Sequence, residues 1–158
     1  MLVRRTVLAL IALALGGLPL ALAGGGDHRC HAGPAEGHWN LPGDHGPGFA
    51  RGALFVEGHD HPVLLLDAEL HATHPGEGVI AGVLRSAQHP HDDPRFVVLG
   101  HWVSNDEGHG AFEAEIFRAH DGGHHRVGRM GGHFDDPPGG DPHHDPVGAF
   151  QGEWRICD

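Results

Sequence analysis

A five-residue pattern recurs along the chain, and it constrains the possible folds more than any other feature of the sequence. Each copy has an apolar residue, any residue, Gly or Ala, any residue, and a large apolar residue. The copies are AEGHW (35–39), ARGAL (50–54), LDAEL (66–70), IAGVL (80–84), VLGHW (98–102), FEAEI (112–116), MGGHF (130–134) and FQGEW (150–154). Successive copies start 14 to 20 residues apart, which indicates a fold built from one repeated structural unit.

Within each copy the apolar residues stand at alternate positions, which is the period of a β-strand. The positions between them are mostly polar: Glu36, His38, Asp67, Glu69, Glu113, Glu115, Gln151 and Glu153. The fourth and fifth copies depart from this rule, because Ala81, Val83 and Leu99 occupy these positions. One buried and one mostly solvated face is the pattern of antiparallel strands.

Clusters of Gly, Pro, Asp and Asn separate the copies, and these residues favour turns. No segment has a sustained helical stripe. We therefore expect an all-β domain of eight short antiparallel strands in an up-and-down meander, closed as a small barrel so that no strand edge is left free. A β-solenoid with unequal coils and a flattened sandwich are the alternatives.

The small residue at the centre of each copy predicts a narrow barrel. These residues are Gly37, Gly52, Ala68, Gly82, Gly100, Ala114, Gly132 and Gly152. Glycine permits strong bending and close approach of neighbouring walls. We expect a filled interior that is closed off by Trp39, Trp102, Phe134 and Trp154.

Residues 1–23 have the features of a bacterial-type secretory signal peptide. Arg4 and Arg5 precede an apolar run that ends in Ala21-Leu22-Ala23, and Gly and Pro residues make this run short for a membrane span. We expect export to the periplasm or the exterior, by the general or the twin-arginine route, and no membrane span after cleavage. Residues 24–34 are assigned to an N-terminal extension that contains Cys30, and residues 35–158 to a single repeat-built β domain.

The two cysteines, Cys30 and Cys157, lie near the two ends of the exported chain. In an oxidising compartment such a pair predicts a disulfide. The first and last strands of a closed barrel are neighbours, so closure and the disulfide support each other. Metal ligation by the two thiolates is the competing reading, although no CxxC spacing is present.

Composition excludes several classes of function. The chain has 10 Lys and Arg against 21 Asp and Glu, which argues against a nucleic-acid partner. It contains no Walker loop, dinucleotide fingerprint, CxxCH or HExxH motif. We assign no catalytic residue.

The chain has 18 histidines, and the meander predicts where they lie. Loops after the second, fourth and sixth strands share one end of the barrel with both termini. The candidate metal ligands at this end are His28, His31, His59, His61, His89, His91, His120, His124 and His125. Neutral imidazole is a common ligand of Zn²⁺, Cu²⁺ and Ni²⁺, and a His-x-His pair in an extended segment directs both rings to one side. Ca²⁺ at the Asp-rich turns is less favoured. The alternative is that these histidines are solvated loop residues.

Three hypotheses follow for the function. The first is an exported, monomeric, histidine-rich barrel that binds transition metal ions without catalysis. The second is a structural or protein-interaction module of the cell envelope or matrix with no specific metal. The third is a small secreted metalloenzyme. In size, export signal and His-x-His content the chain resembles copper–zinc superoxide dismutases, which are also β-barrels, but the repeat is not theirs and their ligand set cannot be placed on these residues.

Overall fold

The computed structural model describes residues 29–40, 46–105, 109–120, 122, 125–135 and 148–157. They form eight strands and no helix. The strands are β1 (Cys30–Asn40), β2 (Gly48–Phe55), β3 (Pro62–His74), β4 (Glu77–Ser86), β5 (Phe96–Ser104), β6 (Gly110–Arg118), β7 (Arg126–Asp135) and β8 (Gly148–Cys157). Each strand contains one copy of the repeat. The residues 30–34, which the repeat assigned to an N-terminal extension, belong to β1.

The eight strands form one closed barrel in sequence order. Each strand pairs antiparallel with the next, and β8 pairs with β1 through a ladder that runs from Cys30 opposite Cys157 to Trp39 opposite Gly148. The predicted meander and its closure are confirmed. The predicted disulfide is also confirmed, since Cys30 and Cys157 are joined with an S–S distance of 2.09 Å.

The strand register explains why the repeat closes on itself. Small residues face each other directly in alternate strand pairs, as in Gly37–Gly52 and Gly132–Gly152. In the other four strand pairs, the central small residue of one strand faces a residue two positions before the central small residue of the next strand. Gly52, for example, faces Leu66 and not Ala68. All four offsets have the same direction and each amounts to two residues, so they add up to a shear of eight residues around the barrel. Eight strands with a shear of eight tilt by about 36° and leave an interior that side chains can fill.

Alternation of the side chains builds an apolar interior. The first and last apolar residues of most repeat copies point inward and are buried, and the polar positions between them are exposed. All four aromatic residues expected to close the interior are at most 5 % exposed. A cavity of about 30 Å³ remains among apolar side chains, which is room for one or two water molecules. The barrel is therefore filled, as predicted.

Aromatic rings use the space that glycines leave on neighbouring strands. A Cβ atom on Gly78 would lie 2.7 Å from Cε2 of Trp102, and one on Gly37 would lie 2.7 Å from Cε1 of Phe150. Trp39 also packs on Phe134, with 4.4 Å between ring centroids. Glycine at these positions lets large rings fill a narrow barrel, a device known from edge glycines covered by aromatic residues.

Among the residues that the structure describes, none belongs to a helix long and apolar enough to cross a membrane. The predicted signal peptide, residues 1–23, lies outside the described residues.

Candidate functional site

The candidate site is the end of the barrel that carries both termini, which we call the terminal end. Its described residues are the start of β1, the loops at 56–61 and 87–95, and residues 119, 120, 122 and 125 of a third loop. The closed meander gathers these segments as the sequence predicted. The candidate histidines that the structure describes here are all exposed: His31, His59, His61, His89, His91, His120 and His125. His28 and His124 lie outside the described residues.

Backbone hydrogen bonds fasten the bases of these loops to neighbouring segments. The Glu57 amide donates to the Ala32 carbonyl at 3.0 Å, which joins the first loop to β1. The Ala119 amide donates to the Arg95 carbonyl at 3.1 Å, which joins the second and third loops. The loops therefore project from a fixed rim.

The first loop begins with a tight turn. The His59 amide donates to the Val56 carbonyl at 3.0 Å, and Gly58 adopts a positive φ of 78° at the third position of the turn. This is the position where a type II turn requires glycine. The His59 Nδ1 atom lies 3.2 Å from the Glu57 carbonyl oxygen. When Nδ1 donates to this carbonyl, Nε2 is left as a free acceptor that could bind a metal ion.

The second loop differs from the extended geometry assumed for a His-x-His pair. The Asp92 amide donates to the His89 carbonyl at 3.2 Å, so residues 89–92 form a turn. Pro90 occupies its second position, where the fixed φ of proline favours a turn. His89 and His91 are thus the first and third residues of a turn, and strand alternation does not set the directions of their rings. The assumption of an extended segment is wrong here.

The remaining candidates come from β1 and the third loop. His31 lies near the start of β1, two and four residues before Gly33 and Ala35, and pairs with Ile156 on β8. By strand alternation it is therefore on the same, inward-facing side of β1 as Ala35. The Arg118 amide donates to the His125 carbonyl at 3.1 Å and closes the base of the third loop.

No group of three or more His, Cys, Asp or Glu side chains in the described part of the chain has an arrangement that could hold a metal ion. In the same residues, Ser86 is the only buried polar or charged side chain. The described chemistry-bearing groups thus lie on the surface, at the two ends and on the outer wall.

At the opposite end of the barrel, two histidines that we did not select are paired with carboxylates. His74 Nδ1 lies 3.0 Å from Glu77 Oε1, and His109 Nδ1 lies 3.0 Å from Asp135 Oδ1. Both contacts leave Nε2 uncommitted, which is how carboxylates orient metal-binding histidines. The contact between His74 and Glu77 could have been predicted from the sequence, because the two residues are only three positions apart. His109 and Asp135 are far apart in sequence and are brought together by the pairing of β6 with β7.

The outer wall confirms the predicted alternation and shows one apolar area. His38 is exposed on the wall as expected, and His101 and His133, at the same position of their copies, are exposed there too. Val79 and Leu99 are large apolar residues that are 42 % and 46 % exposed. Leu99 belongs to the fifth copy of the repeat and Val79 directly precedes the fourth, and these are the two copies in which Ala81, Val83 and Leu99 depart from the polar pattern, so the sequence did carry this signal.

Comparison with protein-family models, curated proteins and solved structures finds no match for this chain.

Proposed function

We propose that this protein is an exported β-barrel that binds Zn²⁺, Cu²⁺ or Ni²⁺ through the histidine loops of its terminal end. The observation that supports this proposal best is the closed meander, which directs three histidine-containing loops and the start of β1 to one rim. Histidines separated by many residues in sequence therefore lie at the same end of the barrel.

The environment of these histidines favours ligand binding. Their side chains are exposed, so an ion can reach them without opening the apolar interior. Asp60, Asp92 and Asp93 are exposed in the same loops and could complete a ligand set or orient a ring. Because the loop bases are hydrogen-bonded to one another, a bound ion would fix only the loop tips, which lowers the entropic cost of binding.

The proposal is tested by elemental mass spectrometry of the mature, disulfide-bonded chain purified without an affinity tag. We expect a near-integer content of one transition metal. At a free metal concentration of about 100 Kd, binding stabilises the fold by about 2.7 kcal/mol. This corresponds to a rise in melting temperature of roughly 10 °C for a chain of this size.

A pair of matched variants localises the site. The loop variant replaces His59, His61, His89 and His91 by Asn, and the wall variant replaces His38, His71, His101 and His133 by Asn. Each removes four imidazoles from exposed positions. We expect the loop variant to lose the metal and the wall variant to keep it. Equal loss in both variants, or no metal in the parent protein, would refute the proposal.

A structural or interaction role is the second candidate, and the exposed apolar residues of β4 and β5 favour it. It predicts no stoichiometric metal and no effect of a chelator on the melting temperature.

A further inference from the structure

The outer face of β4 and β5 carries a continuous apolar area, which we call the apolar strip. Its members are Val79, Ala81 and Val83 on β4 and Val97 and Leu99 on β5. Ala81 faces Leu99 and Val83 faces Val97 across the two strands, so the side chains form one surface. A contiguous apolar patch on an otherwise polar surface marks an interaction site more often than scattered residues do.

We infer that the apolar strip is the interface of a two-fold symmetric dimer of this chain. Closure of the barrel pairs every strand on both sides, so a partner cannot add a strand at an edge. Association through the strands must therefore use their outer faces. The inference goes beyond metal binding and does not rest on it.

The order of side chains on β4 supports a second copy as the partner. Its outward row reads Glu77, Val79, Ala81, Val83 and Arg85. This row has valines on both sides of a central alanine, and its two ends carry opposite charges. A two-fold axis that lies in the interface and crosses β4 at Ala81 sets the two β4 strands antiparallel. It places Glu77 beside Arg85 of the second copy, and Val79 beside Val83 of the second copy, so the surface is self-complementary.

The same axis brings the largest exposed side chain of the strip against itself. Leu99 faces Ala81 on the neighbouring strand, so it lies at the level of the axis and meets Leu99 of the second copy. The small Ala81 side chain leaves room for this contact. Leu99 is 46 % exposed in the single chain and has the most surface to bury.

The charges beside the strip favour a second copy over a basic partner. Acidic side chains flank the strip on β3 and β6, and three of them already contact bases of the same chain. Asp67 lies 3.0 Å from Arg51, Glu69 lies 3.1 Å from His71, and Glu115 is paired with Arg126. A basic partner would have to compete with all of these pairs, whereas a second copy meets existing contacts only at the ends of the β4 row, where Glu77 contacts His74 and Arg85 donates to the Asp92 carbonyl.

Sedimentation velocity of the mature, disulfide-bonded chain tests the inference, over protein concentrations from micromolar to millimolar. EDTA is present throughout, so that cross-linking by metal ions cannot produce a dimer. We expect a weak monomer–dimer equilibrium, because a contact between two strands of each copy lies at the small end of specific interfaces, below roughly 1,200 Å² in total. A parent chain that stays monomeric over this whole range overturns the inference, whether or not the chain binds metal.

Leu99→Lys tests the strip itself. In the inferred dimer, a lysine at position 99 would lie against the lysine at position 99 of the second copy, and the two like charges would repel. We therefore expect dimerisation to weaken by about 30-fold or more, as for a central interface residue. Ala149→Lys is the matched control, since Ala149 is exposed on the outer face of β8 and outside the strip. The control should dimerise as the parent does. Retained dimerisation in Leu99→Lys overturns the inference.

Charge exchange tests the symmetry. Glu77→Arg or Arg85→Glu alone places like charges together at both ends of the interface and should weaken the dimer. The double variant Glu77→Arg with Arg85→Glu restores opposite charges only if the two β4 strands face each other antiparallel. Recovery in the double variant supports the inferred arrangement, and three variants with equally weak association overturn it.

Discussion

Removal of the disulfide by Cys30→Ser together with Cys157→Ser should lower the free energy of unfolding by several kcal/mol and leave the barrel closed. The two cysteines are 127 residues apart in sequence, so the cross-link restricts almost the whole unfolded chain. The loop-closure relation for a loop of this length gives about 4.9 kcal/mol at 25 °C. This is an upper value, because a real unfolded chain is more compact than the relation assumes. We expect a loss of about 2–5 kcal/mol.

The pairing of β1 with β8, which we call the seam, should persist in this variant because contacts other than the disulfide also hold the two strands together. The β1–β8 ladder continues from His31 to Trp39 beyond the disulfide. Trp39 Nε1 donates to the Ala149 carbonyl at 3.1 Å across this seam, and Trp154 Nε1 donates from β8 to the Phe55 carbonyl on β2 at 2.9 Å. The disulfide thus acts mainly on the unfolded state, and the variant should keep the near-ultraviolet circular dichroism of the parent.

Urea denaturation of the parent and the variant, followed by tryptophan fluorescence, measures the effect. The dependence of the unfolding free energy on urea should increase, since the uncrosslinked unfolded chain exposes more surface. Ala32→Ser with Ala149→Ser is the matched control, with two exposed substitutions on the same two strands, and should change stability by less than about 0.5 kcal/mol. A loss below about 1 kcal/mol would refute the unfolded-state argument, and a lost near-ultraviolet signal would show that the disulfide holds the native seam.

Three further predictions concern the interior and the metal. Gly78→Ala should cost at least about 1–3 kcal/mol in urea denaturation, because its Cβ would overlap the His71 carbonyl oxygen and lie 2.7 Å from the Trp102 ring; Gly131→Ala, with 3.2 Å to its nearest atom, is the control and should cost less. Trp39→Phe should destabilise more than Trp102→Phe by about 1 kcal/mol, since Trp39 Nε1 donates a hydrogen bond whereas Trp102 Nε1 is buried without a partner among the described residues. Bound metal should be released below about pH 6, because imidazole must be neutral to ligate; metal retained at pH 5 in equilibrium dialysis would contradict imidazole ligation.

The fold was predictable because the sequence carries three independent constraints. Alternation within each copy set the strands, the turn residues between copies set their number, and Cys30 and Cys157 indicated that the first and last strands meet. The register was not predictable from these constraints. Gly52 faces Leu66 and not Ala68, although both small residues occupy the same place in the repeat, and this offset depends on the tilt of strands in a closed barrel.

The candidate site was predictable only at the level of topology. A meander assigns each loop to one end, which correctly grouped the loops that contain His59, His89 and His120. The local conformations depend on hydrogen bonds that a spacing pattern does not encode, such as the turn that Asp92 closes on His89. The contact of His109 with Asp135 likewise joins residues from two different strand ends and requires the β6–β7 pairing.

The filled interior directs attention to the surface of the described barrel. Side chains can fill an eight-stranded barrel with a shear of eight, and here the remaining cavity of about 30 Å³ is lined by apolar side chains. Among the described residues, the candidate functional groups lie in the loops at the ends and on the outer wall. The histidine loops lie at the terminal end, and the apolar strip centres on Ala81 and Leu99 midway along the wall. Since the two surfaces use different residues, loss of metal binding in the loop variant and loss of dimerisation in Leu99→Lys should occur independently, and a variant that loses both would show that one surface depends on the other.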